Sequence, residues 1–171
     1  MSLILSIVGT SDSGKTTLIT RMMPILRERG LRVAVVKRHA HGDFEIDKEG
    51  KDSWKIYNSG ADVVIASPVK LAFIRRVSEE EGNDLDWIYE RYLSDYDLVI
   101  TEGFSKAGKD RIVVVKKPEE VEHFRQGRIL AVVCDERVDG HKWFRRDEVE
   151  RIAEFILSLL REGGSHHHHH H

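Results

Sequence analysis

The chain has 171 residues, of which residues 164–171, Gly-Ser followed by six histidines, are typical of an expression tag, so residues 1–163 are left to form one domain. Its 27 basic residues nearly balance its 29 acidic ones, which argues against a nucleic-acid-binding surface, and no apolar run approaches the length of a membrane span. A single cysteine, Cys134, excludes an internal disulfide. Residues 1–4 are expected to begin a strand and not a signal peptide, so the sequence favours a cytoplasmic protein.

Short apolar runs alternate with helical patterns along the chain, which predicts a three-layer α/β fold on a mostly parallel sheet. Strands are predicted over residues 3–8, 32–37, 62–66, 70–77, 98–101, 112–117 and 129–134. Ser67-Pro68 separates the third strand from the fourth, so these two are expected to form a hairpin that adds antiparallel strands to the sheet. Helices are predicted over residues 15–29, 51–59, 85–94 and 147–161, with Asp147 as the N-cap of the last.

The segment between the first strand and the first helix fits the phosphate-loop pattern G-x-x-x-x-G-K-[ST] without a mismatch. Backbone N–H groups of such a loop, together with a helix N-terminus, bind phosphate groups. Lys15 is suited to the β- and γ-phosphates and the Thr16 hydroxyl to Mg²⁺. The sequence therefore predicts a P-loop NTPase domain whose nucleotide-contacting residues include Gly9, Ser11, Asp12, Ser13, Gly14, Lys15, Thr16 and Thr17.

A magnesium ion at such a site needs a carboxylate from the end of a neighbouring strand. Glu102 stands at the end of an apolar strand and is followed by Gly103, whereas Asp97 begins the same strand about 15 Å away. Asp47, in the loop after the second strand, is another candidate that can act directly or through water. The predicted metal ligands are Thr16, Glu102 and Asp47.

The loop after the second strand is rich in basic and titratable side chains, Lys37, Arg38, His39 and His41. Lys37 and His39 are predicted to contact a second anionic ligand or to stabilise charge on the terminal phosphate. Two histidines two residues apart also allow a transition-metal site, although no cysteine or third histidine lies nearby. A solvated basic loop is the alternative interpretation.

No motif in the sequence defines the nucleotide base. Lys116-Lys117-Pro118-Glu119 follows a strand at the place where GTPases commonly carry [N/T]-K-x-D, but it lacks the Asn or Thr. Asp135, after the last strand, is a second carboxylate that can accept hydrogen bonds from both guanine N–H groups. For each segment an ordinary loop is the favoured interpretation, and a base-reading loop is the alternative.

Four segments in order make the chain resemble the molybdopterin-guanine dinucleotide biosynthesis protein B (MobB) family. They are residues 9–18, 37–41, 47–53 with 60–61, and 97–104, and the likeness extends over nearly all 163 native residues. The resemblance implies a homodimeric GTP-binding protein with weak, Mg²⁺-dependent GTPase activity. It further implies assistance to a MobA-like nucleotidyltransferase that joins GMP to molybdopterin, with molybdopterin itself as a further candidate ligand.

On this resemblance the phosphate contacts fall on Gly14, Lys15, Thr16 and Thr17, and the Mg²⁺ contacts on Thr16 and Glu102. The chain departs from the family pattern in two places. Arg38 stands inside the histidine loop, where His41 is followed by Gly42, and Ser105 precedes Lys106 after Glu-Gly-Phe.

Two other functions remain open from the residues. The first is an ATP-dependent small-molecule kinase or ligase of the dethiobiotin synthetase type, in which Lys37, Arg38 and His39 hold the acceptor. The second is a nucleotide-switched metal-delivery chaperone that binds its metal through His39 and His41. No general base stands out in the sequence, which agrees with slow hydrolysis.

Overall fold

The computed structural model describes residues 2–39 and 52–169, with side chains described up to residue 163. These residues divide into two compact units, one formed by Met1–Arg38 with Tyr89–His171 and the other by His39–Ile88. The single domain expected over residues 1–163 stays a prediction. His41 and Asp47, which the sequence singled out, lie outside the described residues.

Both units contain strands and helices. In chain order the elements are β1 (Leu3–Gly9), α1 (Lys15–Glu28), β2 (Val33–Lys37), α2 (Asp52–Asn58), β3 (Val63–Ala66), β4 (Leu71–Ile74), α3 (Glu79–Asn83), α4 (Leu85–Ile88), a π-helical turn (Tyr89–Leu93), β5 (Leu98–Glu102), β6 (Arg111–Val114), a 3₁₀ helix (Pro118–Phe124), β7 (Ile129–Val133), β8 (Trp143–Phe144) and α5 (Val149–His169). None of the helices within the described ranges is long and apolar enough to cross a membrane.

The first unit is built on a six-stranded sheet with the order β2-β5-β1-β6-β7-β8. Every pairing in it is parallel, which confirms the predicted mostly parallel sheet. Its central strands are apolar on both faces, as expected of a parallel sheet covered on both sides. The carboxyl ends of β1, β2 and β5 meet at one edge, where the phosphate loop begins.

The two faces of this sheet are covered differently. One face packs against α1 and α5, where Met22 and Leu26 meet Ile152 and Ile156 in a common core with the strands. The opposite face packs against the 3₁₀ helix through Val121 and against the loop after β7. The three layers are therefore two long helices, the sheet, and a thinner layer of short helix and loop.

The second unit contains the predicted hairpin, but the prediction that the hairpin joins the main sheet was wrong. Strands β3 and β4 pair with each other as a separate antiparallel sheet, with Val64 opposite Phe73 and Ala66 opposite Leu71. The turn is held by Ser67, whose hydroxyl oxygen accepts from the Lys70 N–H at 3.1 Å. The turn fixes the pairing of these two short strands, so the hairpin can form without hydrogen bonds to the larger sheet.

Several predicted boundaries also differ from the structure. The helix expected over residues 85–94 is one α turn followed by the π-helical turn, and the α3 helix before it was missed. Asp147 is not the N-cap of α5, since Glu148 immediately precedes the helix and its carbonyl accepts from Ile152 N–H at 3.0 Å. The two-residue strand β8 was missed because so short an element has no periodicity.

Candidate nucleotide-binding site

The phosphate loop joins β1 directly to α1. Gly14 lies at the N-cap of α1 with φ +97°, a left-handed conformation that favours glycine, and Asp12 also has a positive φ of 59°. Gly9 ends β1 in close contact with β6, because a Cβ at this position would lie 1.9 Å from the carbonyl oxygen of Val114. The motif glycines therefore meet two separate needs, a backbone turn at Gly14 and close strand packing at Gly9.

Polar atoms inside the loop point to an anion. The hydroxyl oxygens of Thr10 and Ser13 are buried and have no hydrogen-bond partner among the described residues. The Lys15 ammonium folds back over the loop and donates to the carbonyl oxygens of Gly9 at 2.9 Å and Thr10 at 3.4 Å. Buried hydroxyls of this kind are normally satisfied, so a ligand that accepts hydrogen bonds fits this loop.

The predicted contact residues share this loop and the first turn of α1. Ser13 is buried, Gly14 and Lys15 are half-buried, and the side chains of Ser11, Asp12, Thr16 and Thr17 are exposed. The exposed hydroxyl of Thr16 is therefore accessible to a metal ion in solution. Residues 9–17 are therefore one continuous segment with several exposed side chains, and their contacts with phosphate and metal stay predictions.

Glu102 stands one strand away from the loop. It pairs with Ile7 of β1 on one side and with Lys37 of β2 on the other, at the carboxyl edge of the sheet. Its carbonyl oxygen accepts from the Arg38 N–H at 2.8 Å. Gly103 follows with φ +91°, and a Cβ there would lie 3.0 Å from the Arg38 carbonyl oxygen. The fold thus brings the ends of β2 and β5 together beside the phosphate loop.

The basic residues at the end of β2 differ in exposure. Lys37 and His39 are exposed, whereas Arg38 is half-buried against the backbone of Gly103. Within the described ranges no group of three or more His, Cys, Asp or Glu side chains is arranged to hold a metal ion. His39 therefore has no such group around it in the described part of the chain, and its predicted role toward an anion stays a prediction.

A cavity of about 460 Å³ opens next to the phosphate loop. The residues that line it are Gly14, Thr17, Leu18, Arg21, Asp135, Arg145, Arg146 and Asp147. Its volume falls within the range of about 300–1,000 Å³ that is usual for small-molecule sites. Of the two carboxylates that the sequence proposed for base reading, Asp135 lines this cavity and Glu119 is not among the lining residues.

Asp135 is held by Arg146, which also lines the cavity. The Arg146 side chain donates to Asp135 Oδ2 from Nε at 3.0 Å and from Nη2 at 2.8 Å, and the Arg146 backbone N–H donates to Oδ1 at 3.2 Å. The hydrogen bonds from Arg146 lower the pKa of Asp135, so the carboxylate is charged at neutral pH. Arg146 Nη1 also donates to the Ser13 carbonyl oxygen at 3.3 Å, which links this pair to the phosphate loop.

Neither Arg146 nor Arg111 belongs to a motif that the sequence displays, and neither was predicted. Arg111 is fully buried at the start of β6, and burial lowers its pKa. Its side chain donates to the carbonyl oxygens of Ser105 at 2.8 Å and Lys109 at 3.1 Å, which holds the loop that follows Glu102. An arginine at the start of an otherwise apolar strand was the only signal in the sequence.

The matching protein family is described as Molybdopterin guanine dinucleotide synthesis protein B (MobB), and its sequence model matches residues 4–135. The chain is 30% identical over 167 residues to the molybdopterin-guanine dinucleotide biosynthesis adapter protein of Escherichia coli, covering 93% of this chain and 94% of that protein. It is 32% identical over 165 residues to the protein of the same description from Haemophilus influenzae, covering 92% of this chain and 89% of that protein.

A solved structure agrees with these sequence comparisons. The crystal structure described as molybdopterin-guanine biosynthesis protein B (mobB) has 92% sequence identity and a TM-score of 0.84, and the match covers 93% of this chain and 99% of that one. The strand, glycine loop and helix of β1 and α1, set in a parallel sheet, give the chain the P-loop NTPase fold.

Proposed function

The chain belongs to the MobB family, and on that premise we propose that it acts in molybdenum cofactor guanylation as a GTP-binding accessory protein. In this role it binds GTP with Mg²⁺ and hydrolyses it slowly. It assists the MobA-like nucleotidyltransferase that joins GMP to molybdopterin, in the cytoplasm. The relatives that it matches are described as adapter proteins, which agrees with an assisting role.

The observation that carries the proposal is the phosphate loop with its two buried hydroxyls. Thr10 and Ser13 each offer a hydroxyl that no described residue satisfies, and Gly14 turns the backbone at the N-terminus of α1. Lys15 adds a positive charge on a flexible stem at the same place. Donors gathered at a helix N-terminus favour a phosphate chain over any neutral ligand.

The donor set around the loop also fits a magnesium ion. The Thr16 hydroxyl and the Glu102 carboxylate are hard oxygen ligands, the kind that Mg²⁺ binds together with phosphate oxygens. Glu102 lies at the carboxyl end of the strand next to β1. Asp47 is proposed as a further ligand, directly or through water. When bound, the metal neutralises phosphate charge, and the chain's own residues orient and hold the nucleotide.

The end of β2 and the residue that follows Arg38 carry two further side chains that can bind anions. Lys37 stands opposite Glu102 on the neighbouring strand, and His39 follows closely on the same segment. We propose that these side chains contact the phosphates or a second anion such as the pterin phosphate. A chain that binds GTP tightly and turns it over slowly suits a protein that assists a partner enzyme.

The hairpin supports the proposed homodimer. Its exposed apolar side chains include Val64 (55% exposed), Leu71 (68%) and Phe73 (49%), which the register of the hairpin places on one face. A two-stranded sheet by itself is marginally stable in water, and contiguous apolar faces usually mark an interface. A second copy of the chain is the proposed occupant of this face.

Two measurements test this function in tag-free protein. Calorimetric titration with GTP and ATP, with and without Mg²⁺, should show Mg²⁺-dependent GTP binding that ATP does not match. A strong preference for ATP would contradict the proposal and favour a small-molecule kinase or ligase. Affinity capture from the source cell should recover the nucleotidyltransferase; its absence under conditions that retain GTP would contradict the assisting role.

A further inference from the structure

The cavity beside the phosphate loop shares two residues with the proposed phosphate site. Gly14 and Thr17 line the cavity, and both belong to the loop and first helical turn expected to bind phosphates. A ligand with its phosphates in the loop can therefore extend into the cavity, and in a nucleotide the part that extends is the nucleoside. Leu18 adds an apolar surface of the kind against which a ring can pack.

The hydrogen bonds of Asp135 indicate which kind of donor group its carboxylate can bind. Asp135 Oδ2 accepts two N–H groups from one planar guanidinium, at 3.0 Å and 2.8 Å. Guanine carries a chemically similar fragment, because its N1–H and 2-amino group are adjacent donors on one planar carbon. Adenine has an acceptor at N1 and no 2-amino group, so its edge does not offer this pair.

The pair is also accessible enough to exchange partners. The side chains of Arg146 and Asp135 are 44% and 53% exposed, so their ion pair is one that water already weakens. The backbone bond from Arg146 N–H to Asp135 Oδ1 does not depend on the arginine side chain. The carboxylate can therefore keep its position when the guanidinium leaves.

We propose that this cavity receives the purine base and that Asp135 selects guanine by accepting its N1–H and 2-amino hydrogens in exchange for the Arg146 side chain. The inference rests on the proposed binding of GTP. Asp135 is then the residue that determines base specificity, and Arg146 occupies its carboxylate until guanine binds. The exchange replaces an exposed ion pair by two hydrogen bonds from a neutral base, and the released guanidinium is left in contact with water.

Asp135→Asn tests the base reading with xanthosine triphosphate as the second probe. Xanthine presents a carbonyl oxygen where guanine has its 2-amino group, so an amide donor fits it. We expect GTP binding to weaken about 100-fold and xanthosine triphosphate binding to strengthen by a similar factor, as measured by calorimetry. The control is Asp139→Asn, which removes an exposed, ion-paired carboxylate outside the cavity and should leave both affinities unchanged.

Arg146→Ala tests the exchange in a chain that keeps Asp135. If the arginine only holds the carboxylate until guanine binds, GTP affinity should stay equal or rise by up to about 5-fold, the effect of removing an exposed ion pair. Arg137→Ala is the control, since it removes an exposed, ion-paired arginine outside the cavity and should leave GTP affinity unchanged. A 10-fold or greater loss of GTP affinity in Arg146→Ala alone would overturn the exchange.

The outcomes separate this inference from the function on which it rests. Suppose that the wild-type chain prefers GTP and that Asp135→Asn keeps this preference and gains no xanthosine triphosphate binding. That result overturns the inference about Asp135 and leaves the proposed GTP binding intact. If Asp147→Asn, and not Asp135→Asn, loses GTP binding and gains xanthosine triphosphate binding, then the other carboxylate of the cavity selects the base. That result also overturns the inference about Asp135. Wild-type chain that binds no guanine nucleotide overturns both proposals.

Discussion

The six-stranded sheet and the hairpin place their apolar side chains in opposite environments. Every residue of β6 is buried, whereas in β4 Leu71 is 68% exposed and Phe73 is 49% exposed. The first region is covered by helices and loops of its own unit, and it holds its phosphate loop on a packed core. Two strands cannot enclose a core. The six-stranded sheet therefore has its apolar faces covered by its own chain. The hairpin keeps an exposed apolar face on which another molecule can pack.

The largest expected effect tests the packed side of this comparison. Ile100→Ala removes a fully buried side chain from β5 and should lower the free energy of unfolding by about 2–5 kcal/mol. Leu71→Ala, the matched change in the hairpin, should cost less than about 0.5 kcal/mol at protein concentrations where the chain is monomeric. Urea unfolding measures both. Equal losses would mean that the hairpin face is buried in solution, contrary to the difference described above.

The next effect concerns the site that the packed region supports. Lys15→Ala should weaken GTP binding by about 100-fold or more, because it removes a charge and its hydrogen bonds to phosphate. Thermal unfolding should change little, since the Lys15 ammonium contacts only two loop carbonyls. Lys70→Ala, at the turn of the hairpin, is the control for loss of a lysine far along the chain. An unchanged GTP affinity in Lys15→Ala would contradict the phosphate site.

A smaller effect is expected when the hairpin face is made polar. Replacing Leu71 and Phe73 by serine should weaken self-association about 10-fold or more, because apolar anchors carry much of the energy of an interface. Sedimentation equilibrium measures the dissociation constant. Ile56→Ser, at an exposed position on α2 with 50% exposure, should leave association unchanged. If only the Ile56 variant dissociates, the interface lies elsewhere in that unit.

The smallest effect is a dependence of stability on pH from the Asp135–Arg146 pair. Arg146 lowers the pKa of Asp135 in the folded chain, so the pair stabilises the fold above the unfolded-state pKa of about 4. This contribution is lost as the pH falls through the lower, folded-state pKa. It should amount to less than about 1 kcal/mol because both side chains are half exposed. Asp135→Asn should reduce the loss of stability between pH 7 and about pH 3; an identical acid profile would contradict it.

The sequence predicted those features that depend on residues close together in the chain. The phosphate loop and the start of α1 at Lys15 follow from a local pattern, and β5 and β6 from short apolar runs that are typical of buried parallel strands. The capping box of α3 was also local, since Ser78 accepts from Glu81 N–H at 3.1 Å, but the short helix was overlooked.

The features that could not be predicted depend on distant residues. Arg146 contacts the carbonyl oxygen of Ser13 across 133 positions of sequence, and no spacing rule relates the two. Arg111 likewise holds carbonyls that come together only when the loop after β5 closes over it. That the hairpin forms a separate sheet could not be predicted either. The alternation of apolar and polar residues identifies a strand but does not show which strand pairs with it.

Gly9 is constrained twice, and this changes how variants of the phosphate loop should be interpreted. Its missing side chain leaves room for the Val114 carbonyl oxygen and for the Ser13 hydroxyl of the phosphate loop, which would lie 1.9 Å and 3.2 Å from a Cβ. A variant at position 9 that fails to bind nucleotide would therefore report a disturbed sheet as readily as a lost contact. Mutational scans of this chain should count the first glycine of the pattern as a folding residue and leave the question of recognition to the lysine six positions later.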